Sequence, residues 1–296
     1  MSSLVQITRA NFLPLAIIIA FTGLAGAFYA HRVFHLFDCL IVIVGALLTH
    51  ASVNVFNNYF DYRSMVDART MKTAFSGGVD VLVQGKMKAS VAFGIGAICL
   101  LGAASIGAYF LTRVFYPLFP VLLYGLVAIC LYTPLLSKIP AISEIIAGSG
   151  FGFMAVGAYI TQTGILDIVG ISILVPVSFL VGLLLFLNEF PDMEADKTAK
   201  RRHLVILLGR RHAAWAYVAG LVATYASIVA VIGVGGAPVT IVIAFATIPI
   251  AYKAARIALR EYDQVSRLVP ALASNVLVVL LTILLIGIGF LTAVYL

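Results

Sequence analysis

Apolar stretches of about 20 residues, the length that carries an α-helix across a bilayer, follow one another from Asn11 to the C-terminus with short polar breaks between them. Such runs tie the chain to one solvent. In hydrocarbon every backbone N–H and C=O must find a partner within the protein, which leaves helices and closed barrels. The runs are continuous and do not alternate, and this argues against an outer-membrane barrel. Charge agrees with the helical reading. Only 10% of the 296 residues are charged and 62% are hydrophobic, against about 25% charged in an average soluble domain. A water-soluble fold of that kind would expose large apolar patches. The expected fold is all-α and polytopic, one membrane domain over residues 1–296. The run beginning near Asn11 is too long for a signal-peptide core and is expected as the first span. Cys39, Cys99 and Cys130 form no CxxC pair and are expected as small buried hydrophobes.

Nine spans are predicted, near 11–30, 38–58, 90–112, 114–131, 141–161, 165–190, 213–234, 236–256 and 269–295. The basic residues orient them. With the N-terminus in the cytoplasm, all of the 19 Lys and Arg except Arg32 and Arg113 fall in cytoplasmic segments. The formal charge of +7 is then a charge on the cytoplasmic face. It suits anionic lipid head groups or an anionic substrate, and needs no nucleic acid to explain it.

The chemistry is expected where the carboxylates gather. Of 12 Asp and Glu, the residues Asp61, Asp67, Asp80, Glu189, Asp192, Glu194 and Asp196 fall in just two stretches. These lie at the cytoplasmic ends of the second and sixth spans, and carboxylates near bilayer depth are costly. Asn188, Asp192 and Asp196 stand at i, i+4 and i+8, which puts them on one helix face. One amide and two carboxylates make an oxygen-only site, suited to a hard cation such as magnesium. Pro191 is expected to weaken the helix inside this motif and to open backbone carbonyls there. Asn57 and Asp61 repeat the i, i+4 spacing. Asp67 comes six residues later, so it can join them only if the helix ends after Asp61 and the chain curls back. Four spans separate the two clusters. This predicts two parallel four-helix repeats plus a ninth helix, with the site between them. Carboxylates alone would repel a diphosphate. Carboxylates, bridging magnesium and flanking Lys and Arg would clamp one.

These residues resemble the UbiA superfamily of intramembrane prenyltransferases over nearly the whole chain. The second motif, with Asp192, Asp196 and Lys197, fits the family pattern. The first departs from the commoner N-x-x-x-D-x-x-x-D by placing its second Asp at Asp67. That longer spacing resembles the branch of menaquinone-forming naphthoate prenyltransferases and vitamin K2 enzymes. The stretches Phe75–Gly85, Tyr132–Lys138 and Glu144–Gly164 resemble the same branch. The resemblance implies magnesium held by Asn57, Asp61, Asp67, Asn188, Asp192 and Asp196, with the four Asp residues catalytic. It implies further charge on the diphosphate from Arg63, Lys72, Lys138, Lys197 and Arg201 or Arg202. Tyr59, Tyr62, Tyr132 and Tyr159 are candidates to face an allylic carbocation. The implied partners are a prenyl diphosphate, geranyl to polyprenyl, an aromatic or lipid acceptor, and membrane lipid. The active site is expected near the cytoplasmic face of the cell membrane.

Other residues admit quieter roles. His50 shares the face of Asn57 and serves either packing or acceptor contact. Glu144 opens the fifth span and either stabilises a helix N-terminus or orients the acceptor. Glu189 and Glu194 are expected in salt bridges with Lys or Arg. Gly148, Gly150, Gly152 and Gly157 are expected to allow close helix packing. Within the family, geranylgeranyl transfer to a glycerol phosphate is the rival reading, and the Asp67 spacing argues against it. Haem O synthesis lacks support in these motifs. A cation-coupled transporter would carry its carboxylates nearer the midplane. A CDP-alcohol phosphotransferase would carry D-G-x-x-A-R, which is absent.

Overall fold

In the structure, a computed structural model, residues 2–65, 73, 75, 76, 78–139 and 141–296 are described. Among them there is helix and no strand. A short surface helix α1 (Ser3–Ile7) leads into α2 (Pro14–His31), which has Pro14 at its first turn, where no N–H is needed. Then come α3 (Leu36–Arg63), α4 (Ala89–Leu111), α5 (Leu118–Leu131), α6 (Ile142–Thr163), α7 (Ile168–Thr198) and α8 (Leu204–Gly233). A 3-10 segment, Val239–Thr247, runs into α9 (Ile248–Glu261), and α10 (Val265–Thr292) closes the bundle.

Eight helical segments among the described residues are long and apolar enough to cross a membrane. The helix over the predicted fourth span, α5, has 14 residues, about 21 Å of rise, and is the short one. Two boundaries differ from expectation in ways that matter. The sixth span was expected to end near residue 190, but α7 runs on to Thr198, as one helix face for Asn188, Asp192 and Asp196 requires, with Met193, Ala195 and Asp196 buried along the extension. Pro191 does not interrupt it: the helix continues on both sides. The seventh span was expected from residue 213, but α8 begins at Leu204 and is bent at Gly209, whose φ of 71° only glycine adopts cheaply.

α6 and α7 pack most extensively, with α2 and α10 completing the centre. The α6–α7 seam is close because Gly148 and Gly152 have no side chain there. A Cβ on Gly148 would sit 2.3 Å from the Ser178 carbonyl oxygen, and one on Gly152 would sit 2.3 Å from Ser178 Oγ. Gly150, expected in the same role, has nothing within 4 Å of its Cβ position. Buried polar groups tie the other helices, as hydrogen bonds do where water is absent. Tyr217 OH donates to Asn275 Oδ1 at 2.9 Å, and Asn275 Nδ2 donates to the Leu183 carbonyl at 3.0 Å, joining α8, α10 and α7. α5 packs mainly on α6 and touches α3 and α4 only lightly, which leaves an apolar gap on that side. The cysteines are free, and Cys130 is exposed where burial was expected.

Candidate active site

The fold brings the two Asn/Asp clusters to one cavity. α3 presents Asn57 and Asp61 from its last turns, and α7 presents Asn188, Asp192 and Asp196 from its own. All five line an empty space of about 780 Å³, with Tyr132, Arg201, His203 and Arg9 also in its wall. The helix α3 ends at Arg63, two residues after Asp61, and Met65 turns the chain with φ of 60°. That is where the chain was expected to leave the helix. Asp67 and Lys72 lie outside the described residues.

Arg201 fastens the clusters together. Its Nη1 donates to Asp196 Oδ1 at 2.8 Å, and its Nη2 donates to Asp61 Oδ1. Burial opposes the guanidinium charge, but the Asp61 and Asp196 carboxylates outweigh it and hold the arginine's pKa above its ordinary value. His203, 2% exposed, places Nε2 3.2 Å from Asp196 Oδ2 and Nδ1 3.4 Å from Glu189 Oε2. Glu189 was expected to pair with Lys or Arg. It is buried instead, among His203, Glu144 and the other carboxylates. Burial first, then the charge of Glu189, pushes the Tyr132 phenol well above its usual range, so it stays protonated.

Two buried acceptors in this wall have no donor. Asn188 Oδ1 and Asp192 Oδ1 are inaccessible and make no hydrogen bond. An unpaired buried carboxylate oxygen is costly. An oxygen-only set with unspent lone pairs is the donor chemistry of a hard divalent cation, so these residues fit magnesium. No three His, Cys, Asp or Glu side chains among the described residues already converge on one metal position. Arg201 holds the space between Asp61 and Asp196.

Other expected site residues fall elsewhere. Tyr59 meets Phe60 edge-on and Phe93 at a tilt, and accepts a hydrogen bond from exposed Arg63. Tyr62 packs against the small cluster of Ile7, Val55, Leu82 and Ala92. Tyr159 is at the opposite end of the bundle: its OH donates to Asp167 Oδ1 at 2.7 Å, beside His31. Lys138 and Arg202 are exposed, and Lys197 pairs with Glu194 at 3.1 Å. Glu144 is buried and accepts the Leu204 N–H at 2.7 Å, capping α8 rather than lining the cavity. Of the aromatic candidates, Tyr132 alone lines the polar cavity.

Arg9 and His203 are site residues that sequence reasoning missed. Arg9 is held by Asn58 Oδ1, which accepts from its Nη2 at 2.8 Å. Asn54 and Asn58 also fasten the N-terminal segment to α3 through the carbonyls of Thr8 and Ile7, at 2.9 Å each. The available signal was four amide-bearing or acidic side chains spaced one turn apart or nearly so, Asn54, Asn57, Asn58 and Asp61, more than one cavity needs. The polar cavity shares Arg9, Asn57, Phe75, Tyr132, Leu185 and Asn188 with an apolar chamber of about 1110 Å³. His50 lines that chamber, edge-on to Phe151 at 4.9 Å.

Residues 18–276 match the model of the UbiA prenyltransferase family. The chain is 26% identical over 249 residues to a 1,4-dihydroxy-2-naphthoate octaprenyltransferase of Bacillus subtilis, which covers 82% of this chain and 78% of that protein. Two solved structures share the fold. The apo structure of a UbiA homologue from Aeropyrum pernix K1 has a TM-score of 0.74 at 17% identity, covering 95% of this chain and 98% of that one. A UbiA homologue from Archaeoglobus fulgidus bound to DMAPP and Mg2+ has a TM-score of 0.60 at 13% identity, covering 98% and 99%.

Proposed function

Because the chain belongs to the UbiA prenyltransferase family and is thereby a multi-pass membrane prenyltransferase, we propose that it moves a polyprenyl group from a prenyl diphosphate to an aromatic, dihydroxynaphthoate-like acceptor. The observation that carries this reading is the convergence of Asn57 and Asp61 with Asn188, Asp192 and Asp196 on one cavity that opens into an apolar chamber. The naphthoate relative from B. subtilis supports the acceptor class, and the A. fulgidus homologue bound to DMAPP and Mg2+ supports the donor and the cation.

Asn57, Asp61, Asn188, Asp192 and Asp196, with Asp67, would hold magnesium, which when bound supplies charge neutralisation for the diphosphate. Arg201 and Arg9 donate hydrogen bonds to diphosphate oxygens from the same wall. The allylic C–O bond breaks and its electron pair leaves with the diphosphate. An electron-rich ring carbon of the acceptor makes the new bond and gives up the group it carried, a proton in the simplest case. The protonated Tyr132 phenol presents its ring at the junction of the two spaces, where positive charge develops on the allyl group. Phe151 and His50 wall the chamber against water. Arg63, Lys138, Lys197 and Arg202 serve as a basic rim that attracts the anion. In this reading α5 completes nine spans in two parallel four-helix repeats plus α10. The N-terminus and the site face the cytoplasm of a cell membrane, where the basic residues gather.

The test uses purified protein, magnesium, labelled geranylgeranyl diphosphate and a panel of aromatic and glycerol-phosphate acceptors. Product should require magnesium and form with a dihydroxynaphthoate. Asp61→Ala, Asp192→Ala or Asp196→Ala should each lower turnover on the order of 100-fold or more, as losing an electrostatic stabiliser does. Ion transport with no prenyl product from any acceptor contradicts the reading.

A further inference from the structure

The apolar chamber does not end at α6. It shares Thr49, Gly125, Ile129, Gly150 and Met154 with a groove of about 1300 Å³ between α3, α4, α5 and α6. A continuous passage thus runs from the carboxylates to the groove. Its outer rim includes Phe119, Leu123 and Leu126, which are 43%, 48% and 45% exposed, so the groove opens sideways to lipid. At the junction stand two glycines from different helices, Gly125 on α5 and Gly150 on α6. A Cβ built on either meets nothing within 4 Å. Gly148 and Gly152, two residues to either side, are needed for the α7 seam; Gly150 points away from it and packs on nothing. Its lack of a side chain keeps space open.

We infer that Gly125 and Gly150 form the waist through which a long prenyl tail leaves the site, and that their missing side chains set the tail length the protein accepts. This rests on the proposed donor being a prenyl diphosphate. The occupant follows from continuity: a chain in this passage is joined to whatever anion sits beside Arg9 and Arg201. Distances along the helices set the scale. From Asn57 back to Thr49 at the waist is eight residues of α3, about 12 Å at the helical rise. From Gly150 to Thr161 at the far end of the groove is eleven residues of α6, about 16 Å. An extended C10 geranyl tail ends near the waist, whereas a C20 geranylgeranyl tail must pass it. Filling either glycine with an aromatic ring therefore blocks long tails and spares short ones. Glycine is a poor helix former, so these replacements do not oppose the helix itself.

The experiment compares full-length wild-type protein in lipid nanodiscs with Gly150→Phe, Gly125→Phe and the small control Gly150→Ala. Two readouts are taken with magnesium present. One is binding of geranyl and geranylgeranyl thiolodiphosphates, which do not react; the other is transfer from the C10 and C20 diphosphates. Both Phe variants should lose at least tenfold in C20 binding and C20 transfer while C10 values stay near wild type, and Gly150→Ala should behave as wild type. The inference is overturned by C10 and C20 binding falling in parallel in a Phe variant that melts like wild type. It is overturned equally by no change in either, or by loss of co-purifying phospholipid with C20 binding intact, which makes the groove a lipid seat. Having glycines on two helices keeps the test alive if one variant misfolds. If wild type transfers nothing yet the Phe variants selectively lose C20 binding, the waist stands and the proposed reaction fails.

Discussion

At the scale of single residues, Arg201 decides how the two clusters meet. It is 17% exposed at its side chain and spans Asp61 and Asp196 from two helices. Removing one partner from a buried ion pair costs about 3–5 kcal/mol, because the remaining charge is left uncompensated. Arg201→Ala should lower the thermal stability of the purified protein accordingly, and magnesium should restore part of the loss by taking the guanidinium's place between the same oxygens. Arg201→Lys should not substitute, since a single ammonium lacks the planar fork that reaches both carboxylates. Melting curves of both variants with and without magnesium check this; a Lys variant equal to wild type, or no magnesium rescue, contradicts it. Residue types and spacings made Asn188, Asp192 and Asp196 readable in advance, because a helix converts i, i+4, i+8 into one face. Tyr159 was not readable in that way. Its aromatic ring suited the chemistry, but only tertiary placement shows that its hydroxyl serves Asp167 at the other end of the bundle.

At the scale of elements, α7 positions the most site residues and is secured at its far end. Asp167 caps it, accepting N–H groups from Val169 at 3.0 Å and Gly170 at 3.2 Å. It also accepts from Tyr159 at 2.7 Å and meets His31 Nε2 at 2.8 Å, which binds the starts and ends of α2, α6 and α7. Burial raises the Asp167 pKa, but these hydrogen bonds outweigh it and hold it below the ordinary value. Its stabilisation is therefore present above the unfolded carboxylate pKa of about 3.9 and fades as pH falls through the depressed folded value. Asp167→Ala should cost about 1 kcal/mol at neutral pH, as loss of an N-cap does, and the gap to wild type should narrow in acid. Melting across a pH series reads this, and a gap that widens below pH 4 contradicts it. The helices were legible as apolar runs, but their ends were less so. A hydropathy run stops where polar residues begin, yet α7 continues for two polar turns because Met193, Ala195 and Asp196 on them are buried. Neighbouring packing keeps α7 going past Pro191, a residue that lacks an N–H.

At the scale of the whole molecule, the arrangement explains why a chain with so few charges concentrates them. The bundle centre is apolar, with α6 and α7 at its heart. The cavity at the ends of α3 and α7 gathers buried carboxylates, Arg9, Arg201 and His203, and the lateral gap beside α5 supplies apolar space. Meeting of the clusters was foreseeable from the Asn-x-x-x-Asp spacing that Asn57 and Asp61 share with Asn188 and Asp192. Arg9 and His203 were not, because each reaches the site from a segment whose position only packing determines. The central claim is that the two clusters form one site for one diphosphate. It is tested most directly by a double-mutant cycle on Asp61→Ala and Asp192→Ala, reading magnesium-dependent binding of geranylgeranyl thiolodiphosphate. Residues acting as a unit are strongly non-additive. The double variant should bind little more weakly than the weaker single variant. Fully additive losses, or one of the two substitutions leaving binding unchanged, would contradict a shared site.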